Sequence, residues 1–224
     1  MAGARHWPGA PLKRTGLLGG SFNPAHGGHR RVTLFARAAL GLDEVWWLVS
    51  PGNVLKPATG MASLPARFAS AQRQARNARI RATAIERELG TRYTVDSLRA
   101  IRRRYPRRRF VWLMGADNLA QFHRWKDWRQ IAREMPIAVI ARPGYDGAAL
   151  ASPAWAWLRR WRQRPGQLVS GAVRGVPALT ILRFDPDTRS ASAIRADDPD
   201  WPARTATAGL RDGVTHRALK RGNP

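Results

Sequence analysis

The 224-residue chain contains no cysteine. That excludes disulfides, thiolate metal sites, iron–sulfur clusters and a cysteine nucleophile, and it fits the reducing conditions of a cytoplasmic protein. No apolar run approaches the roughly 18 residues that span a membrane. The opening Met1–Lys13 carries Arg5, His6, Trp7, two prolines and Lys13, with no apolar stretch of the signal-peptide kind, and is expected to be a flexible tail. Lysine is scarce: it stands only at 13, 56, 126 and 220, so 35 of the 39 basic residues are arginine. Acidic residues number 15, which leaves a net charge of +24. Such a charge invites nucleic acid as a partner. Arginine in place of lysine, beside abundant alanine, is the coding bias of a GC-rich genome, so most of the charge reads as solvated surface. What remains would guide an anionic ligand, and a phosphate-rich small molecule meets that need as well as a polynucleotide does.

The length fits one domain, and 44% apolar residues are enough for a sizeable core. Thr15–Gly20 reads as a short buried strand ending in a glycine turn, and Glu44–Ser50, Arg79–Ala82, Phe110–Met114, Ile137–Ala141 and Ala178–Phe184 as further strands. Between them His29–Leu40, Leu64–Ala78, Thr94–Tyr105 and Trp128–Met135 show helical spacing, with Gly41 and Pro106 as stops. Short, wholly apolar strands alternating with helices predict a parallel sheet covered on both faces, a doubly wound single α/β domain over residues 14–196. Ligands of such sheets bind beyond the carboxyl ends of the strands, where this chain places its glycines and polar residues. Ala148–Val176, with three tryptophans and several arginines, is expected to form an amphipathic helix and a loop. Residues 197–224 show little periodicity and are expected to be weakly ordered. The arginines flanking Pro106 (102–104 and 107–109) read as solvated.

The strongest local signal is GGSFNPAHGGH, Gly19–His29. A strand runs into a glycine turn whose backbone can approach a ligand, and a helix then begins near Gly27–His29. Its free amides and positive dipole end suit an anion. His26 and His29, three apart, can both donate hydrogen bonds to phosphate oxygens. A helix cap with two surface histidines fits the same spacing.

HGGH matches the HxGH signature of the nucleotidyltransferase superfamily, and GGSFNPAHGGH is similar to the opening of the nicotinate-mononucleotide adenylyltransferase family. Further resemblances follow in family order: SPGNVLK (Ser50–Lys56), YTVDSL (Tyr93–Leu98), MGADNLAQFHRW (Met114–Trp125) and SASAIR (Ser190–Arg195). Together they span about residues 15 to 196. The resemblance implies a Rossmann-like nucleotidyltransferase fold and adenylyl transfer from ATP to nicotinate mononucleotide, a step of NAD biosynthesis. It gives His26 and His29 to the ATP phosphates as the catalytic pair, and Gly20, Ser21 and Phe22 to backbone contact with the nucleotide. Lys56 would reach phosphate. Asn53, Thr94 and Trp125 would frame the pyridine nucleotide, with Trp125 stacked on its ring and Thr94 near its carboxylate. Gly115 and Asp117 would hold the adenosine, Ser192 and Arg195 the triphosphate, and Arg142 would add a nucleotide contact. Mg²⁺ would arrive with ATP, with no metal site built into the protein.

Each position also has a plain structural reading: Thr94 and Asp117 as helix caps, Trp125 as core, Lys56 and Arg195 as solvated charges. Arg189 and Ala191 replace the family's isoleucine and second serine, and one donor fewer there would weaken triphosphate binding by about 1 kcal/mol. Two other readings compete. One is a superfamily member with another acceptor, nicotinamide mononucleotide or phosphopantetheine. The other is a basic nucleic-acid-binding domain, which leaves the ordered motifs unexplained. Neither a membrane nor nucleic acid is expected as a partner.

Overall fold

The computed structural model describes residues 12–52, 60–141, 147–169, 175–184 and 190–219. Six strands form one sheet: β1 (Lys13–Gly20), β2 (Glu44–Val49), β3 (Ile80–Thr83), β4 (Arg108–Gly115), β5 (Ile137–Ala141) and β6 (Leu179–Arg183). Their order is β3-β2-β1-β4-β5-β6, and every pairing is parallel. The chain passes from β1 outward to β3, then returns to the other side of β1 at β4. The crevice between the carboxyl ends of β1 and β4 is thus the point where the winding reverses.

The helices are α1 (Gly27–Ala39), α2 (Leu64–Ala75), α3 (Ile85–Glu88), α4 (Thr94–Arg104), α5 (Ala116–Gln121), α6 (Trp128–Glu134), α7 (Gly147–Leu150), α8 (Pro153–Leu158), α9 (Pro165–Val169) and α10 (Ala191–Asp197). The period-2 alternation of β2 divides the core. Trp46 and Leu48 point to one face, where they join Val95, Leu98 and Ile101 of α4, Leu119 of α5 and Ile131 of α6. Val45, Trp47 and Val49 point to the other, against Ala36 of α1 and Phe68, Ala71 and Ala75 of α2. Helices on both faces explain why the strands read as continuous apolar runs rather than alternating ones. Gly19 serves this packing directly: a Cβ there would lie 2.6 Å from the Trp112 ring of the neighbouring strand.

Three stretches differ from the sequence expectation. Residues 147–169 are not one amphipathic helix but three short ones, broken at Pro153 and Pro165, with a 3₁₀ turn at Arg159–Trp161. Two of their tryptophans join an aromatic cluster: Trp157 meets Trp128 of α6 edge-on at 5.2 Å and lies tilted 4.5 Å from Trp161. The arginines around Pro106 are partly structural. Arg102 pairs with Glu134 and Arg104 with Glu88. Arg108 turns onto Trp46 and bonds Glu44 and Thr15. Beyond α10, residues 198–219 contain no helix yet dock on β3. Asp212 accepts from Thr83 Oγ1 and the Ala84 amide with one oxygen, and from the Val214 and Thr215 amides with the other. The Gly213 amide donates to Ala82 O.

Candidate active site

A cleft of about 890 Å³ opens at the carboxyl ends of β1 and β4. One wall is the turn after β1. Gly20, Ser21 and Phe22 all line it. Phe22 takes a left-handed backbone (φ 49°), its buried ring stacked 5.0 Å from Trp47 and tilted 5.1 Å from His29. The strained turn is thereby pinned by a buried ring rather than by glycine.

His26 is the N-cap of α1. Its Nδ1 accepts from the Gly28 amide at 3.1 Å, and His29 Nδ1 accepts from the His26 amide at 3.3 Å. The two rings are 4.0 Å apart. Two histidines thus form the reciprocal cap usually built from Ser/Thr and Glu. With both Nδ1 atoms accepting, each neutral ring carries its proton on Nε2. His29 lines the cleft, while His26 is buried behind it. The cap and the phosphate readings therefore describe one arrangement: capping fixes the tautomer that leaves Nε2–H as a donor.

The opposite wall comes from α4, α5 and the 3₁₀ turn at Phe122–Arg124. Thr94 is the first helical residue of α4, not its N-cap; the cap is Tyr93, whose side chain makes no capping bond. Trp125 follows the 3₁₀ turn, held edge-to-face by Trp112 (6.4 Å) and Phe122 (5.4 Å). Gly115 caps α5, and Asp117 stands exposed in its first turn. A Cβ at Gly115 would collide with Asp117 Oδ1, so glycine there sets the carboxylate's position. Gly115, Asp117, Thr94 and Trp125 all line the cleft, and Arg92, Arg124 and Lys126 make its rim cationic.

The last motif arrives differently. Ala191 reaches the cleft, with Ser190 Oγ capping α10. Ser192 and Arg195 are not on its wall. Arg195 instead donates to Asn23 O (2.6 Å), Ala191 O (3.1 Å) and Ser192 Oγ (3.2 Å), tying α10 to the turn after β1. Asn53, Lys56 and Arg142 lie outside the described residues.

Sequence reasoning passed over two residues. Glu86 lines the cleft and accepts from Ser97 Oγ at 2.8 Å. Burial pushes its carboxyl above the usual range, a shift the Ser97 bond partly opposes. Arg67 of α2 is buried and bonds the carbonyls of Ser21 and Ser50. Its only signal is a cation inside the apolar run ARFASA. Among the described residues, no group of three or more histidines and carboxylates stands close enough to hold a metal, and no helix is long and apolar enough to cross a membrane.

This geometry is matched by kinship. A model of the cytidylyltransferase-like family matches residues 17–197. A protein of Erythrobacter litoralis (strain HTCC2594), named "Probable nicotinate-nucleotide adenylyltransferase", is 68% identical over 206 residues, covering 92% of this chain and 94% of that one. One of the same name from Bradyrhizobium sp. (strain ORS 278) is 47% identical over 188 residues, covering 84% and 98%. The fold is also that of a Plasmodium falciparum nicotinic acid mononucleotide adenylyltransferase solved in complex with NaAD, with a TM-score of 0.58 at 16% identity over 82% of this chain and 83% of that one. The chain belongs to the nicotinate-nucleotide adenylyltransferases of the cytidylyltransferase-like family.

Proposed function

We infer that the protein transfers the adenylyl group of ATP to nicotinate mononucleotide, giving nicotinate adenine dinucleotide and pyrophosphate, a step of NAD biosynthesis. One observation carries the reading beyond kinship: the cleft gathers stretches far apart in sequence, 18–23, 29, 92–94, 115–125 and 191, around a single volume. That volume lies within the few hundred to about 1,000 Å³ of small-molecule sites.

The mononucleotide phosphate attacks the α-phosphorus of ATP in line. A new P–O bond forms, the α–β bridge breaks, and pyrophosphate carries away the electron pair. No covalent enzyme intermediate is needed, so the protein's work is positioning and charge stabilisation. His29 and His26 donate from Nε2 to phosphate oxygens. The Gly20–Phe22 turn presents backbone to the nucleotide, and Gly115 and Asp117 hold the adenosine. The motifs they stand in assign Lys56 and Arg142 to phosphate, and Ser192 and Arg195 to the triphosphate. On the far wall Trp125 offers a ring face for the pyridine, and the motif of Asn53 assigns that residue to the same nucleotide. The Thr94 hydroxyl and the α4 N-terminus face its carboxylate. Magnesium would arrive with ATP and would supply charge neutralisation at its phosphates. A cysteine-free small-molecule enzyme of this kind works in the cytoplasm.

Pyrophosphate release with MgATP tests the reading, comparing nicotinate mononucleotide, nicotinamide mononucleotide and phosphopantetheine as acceptors. Release mainly with the nicotinate form is expected. Release mainly with another acceptor would keep the phosphate site and overturn the roles of Thr94 and Trp125.

A further inference from the structure

Arg67 is 1% exposed, a depth at which a cation is rarely found without a partner. Among the described residues its guanidinium bonds main-chain carbonyls. Nε donates to Ala62 O at 2.8 Å, Nη1 to Ser21 O at 2.8 Å and Ser50 O at 2.7 Å, and Nη2 to Pro51 O at 3.2 Å. Ser21 follows β1, and Ser50 and Pro51 follow β2; all three line the cleft. The main-chain ladder between these strands closes with the Ser50 amide on Gly20 O at 3.0 Å. One residue further on, Nη1 takes the ladder's place by holding one carbonyl from each side.

Burial lowers the pKa of Arg67 to about 10, which leaves the group cationic at neutral pH. A buried cation without a carboxylate costs stability unless every donor is satisfied. Here four planar N–H groups meet four carbonyls that converge from three loops. Only a guanidinium fork has that geometry; an ammonium is one centre with three donors. The result is a rigid joint one peptide unit behind the cleft wall.

We propose that Arg67 is a positioning residue for adenylyl transfer, fixing the spacing of the Ser21 and Ser50–Pro51 backbones that enclose the nucleotide triphosphate. The proposal rests on reading this cleft as the nucleotide site. A structural role alone would lower the melting temperature and leave the folded enzyme's kinetics unchanged. A positioning role changes both.

The test uses R67K and R67M in the full chain, with circular dichroism, melting temperature, calorimetric Kd for MgATP without acceptor, and kcat and KM well below each Tm. In R67M, kcat is expected to fall about 100-fold, the loss that a misplacement near 1 Å brings. ATP Kd should weaken in parallel, and R67K should fall between R67M and the native enzyme. Folded variants with native kcat and ATP Kd overturn the proposal, whatever their Tm. Should R67M not fold, R67K decides alone, since it keeps the charge without the fork. Failure of both to fold also overturns the proposal, because the role is then folding. The Kd arm needs no acceptor. Native protein that binds ATP but releases no pyrophosphate with any acceptor would sink the assigned reaction while leaving Arg67 testable.

Discussion

His26 holds a helix end and a proton position with one ring. Its Nδ1 caps α1 through the Gly28 amide, which puts the proton of the neutral ring on Nε2, the atom proposed to meet phosphate. The two roles separate by substitution. His26→Asn keeps a short side-chain acceptor at the N-cap, so stability should stay within about 0.5 kcal/mol of native, whereas His26→Ala should lose about 1 kcal/mol. Turnover should fall by about 100-fold or more in both, the scale set by loss of one preorganised donor. Thermal melts and pyrophosphate release check the pair; native turnover in His26→Asn would confine the residue to capping. The helix start and its two histidines were legible in the sequence because that logic is local, while the phosphate role came from the family motif. Arg67 was not. Its carbonyl partners at Ser21 and Ser50 lie 46 and 17 residues away, and one arginine among 35 looks like the rest. Arg195 was singled out by its motif as a triphosphate contact, whereas its bond to Asn23, 172 residues distant, could come only from the fold.

At the scale of elements, the strands announced themselves because a sheet covered on both faces needs continuous apolar runs. The helix bounds mostly agreed within a few residues. Residues 147–169 misled because Trp157 packs edge-on against the distant Trp128, a tertiary contact that sets no period along the chain. The segment after α10 misled for a similar reason: it is held by Asp212 on the edge of β3. The amino ends of four strands show the same dependence on distant pairs. Glu44, at the start of β2, accepts from Arg81 Nε of β3 at 2.8 Å, from Arg108 Nη1 of β4 at 2.6 Å and from Trp46 Nε1 at 2.7 Å. Arg108 also reaches Thr15 of β1. Burial by itself would raise the Glu44 carboxyl. The bonds from Arg81 and Trp46 and the charges of Arg108 and Arg81 outweigh it, so the pKa lies below 4.5. A carboxyl lowered on folding contributes stability above its unfolded pKa and loses it as pH falls through the folded value. Glu44→Gln should therefore cost about 1–3 kcal/mol at neutral pH, the lower part of the range for a broken buried pair because Arg81 can turn to water. The gap between native and variant melting curves should close as the pH falls through the lowered pKa of Glu44, below the ordinary carboxylate range. A gap that is constant with pH would assign the cost to packing rather than to charge.

The whole molecule carries +24, and its cleft is rimmed by Arg92, Arg124 and Lys126. A charge of that size acts twice. Across the surface, arginines repel one another and work against the compact state. At the cleft, the same sign draws in a polyanionic nucleotide and raises its rate of encounter. Salt screens both effects, with a Debye length of about 30 Å at 0.01 M and about 8 Å at 0.15 M. The two consequences have opposite signs. Raising NaCl over that range should raise the melting temperature as repulsion is screened, and should lower kcat/KM for ATP as steering is lost. Turnover at saturating substrate should change little, because the bound phosphates sit among fixed donors inside the cleft, where mobile ions screen weakly. Melts and steady-state kinetics on one salt series measure all three. A kcat/KM that does not fall would mean the charge is only coding bias spread over solvent. A falling kcat/KM together with tight, salt-sensitive capture of single-stranded oligonucleotides that compete with ATP would instead mean that the basic rim accepts any polyphosphate and selects by the cleft behind it.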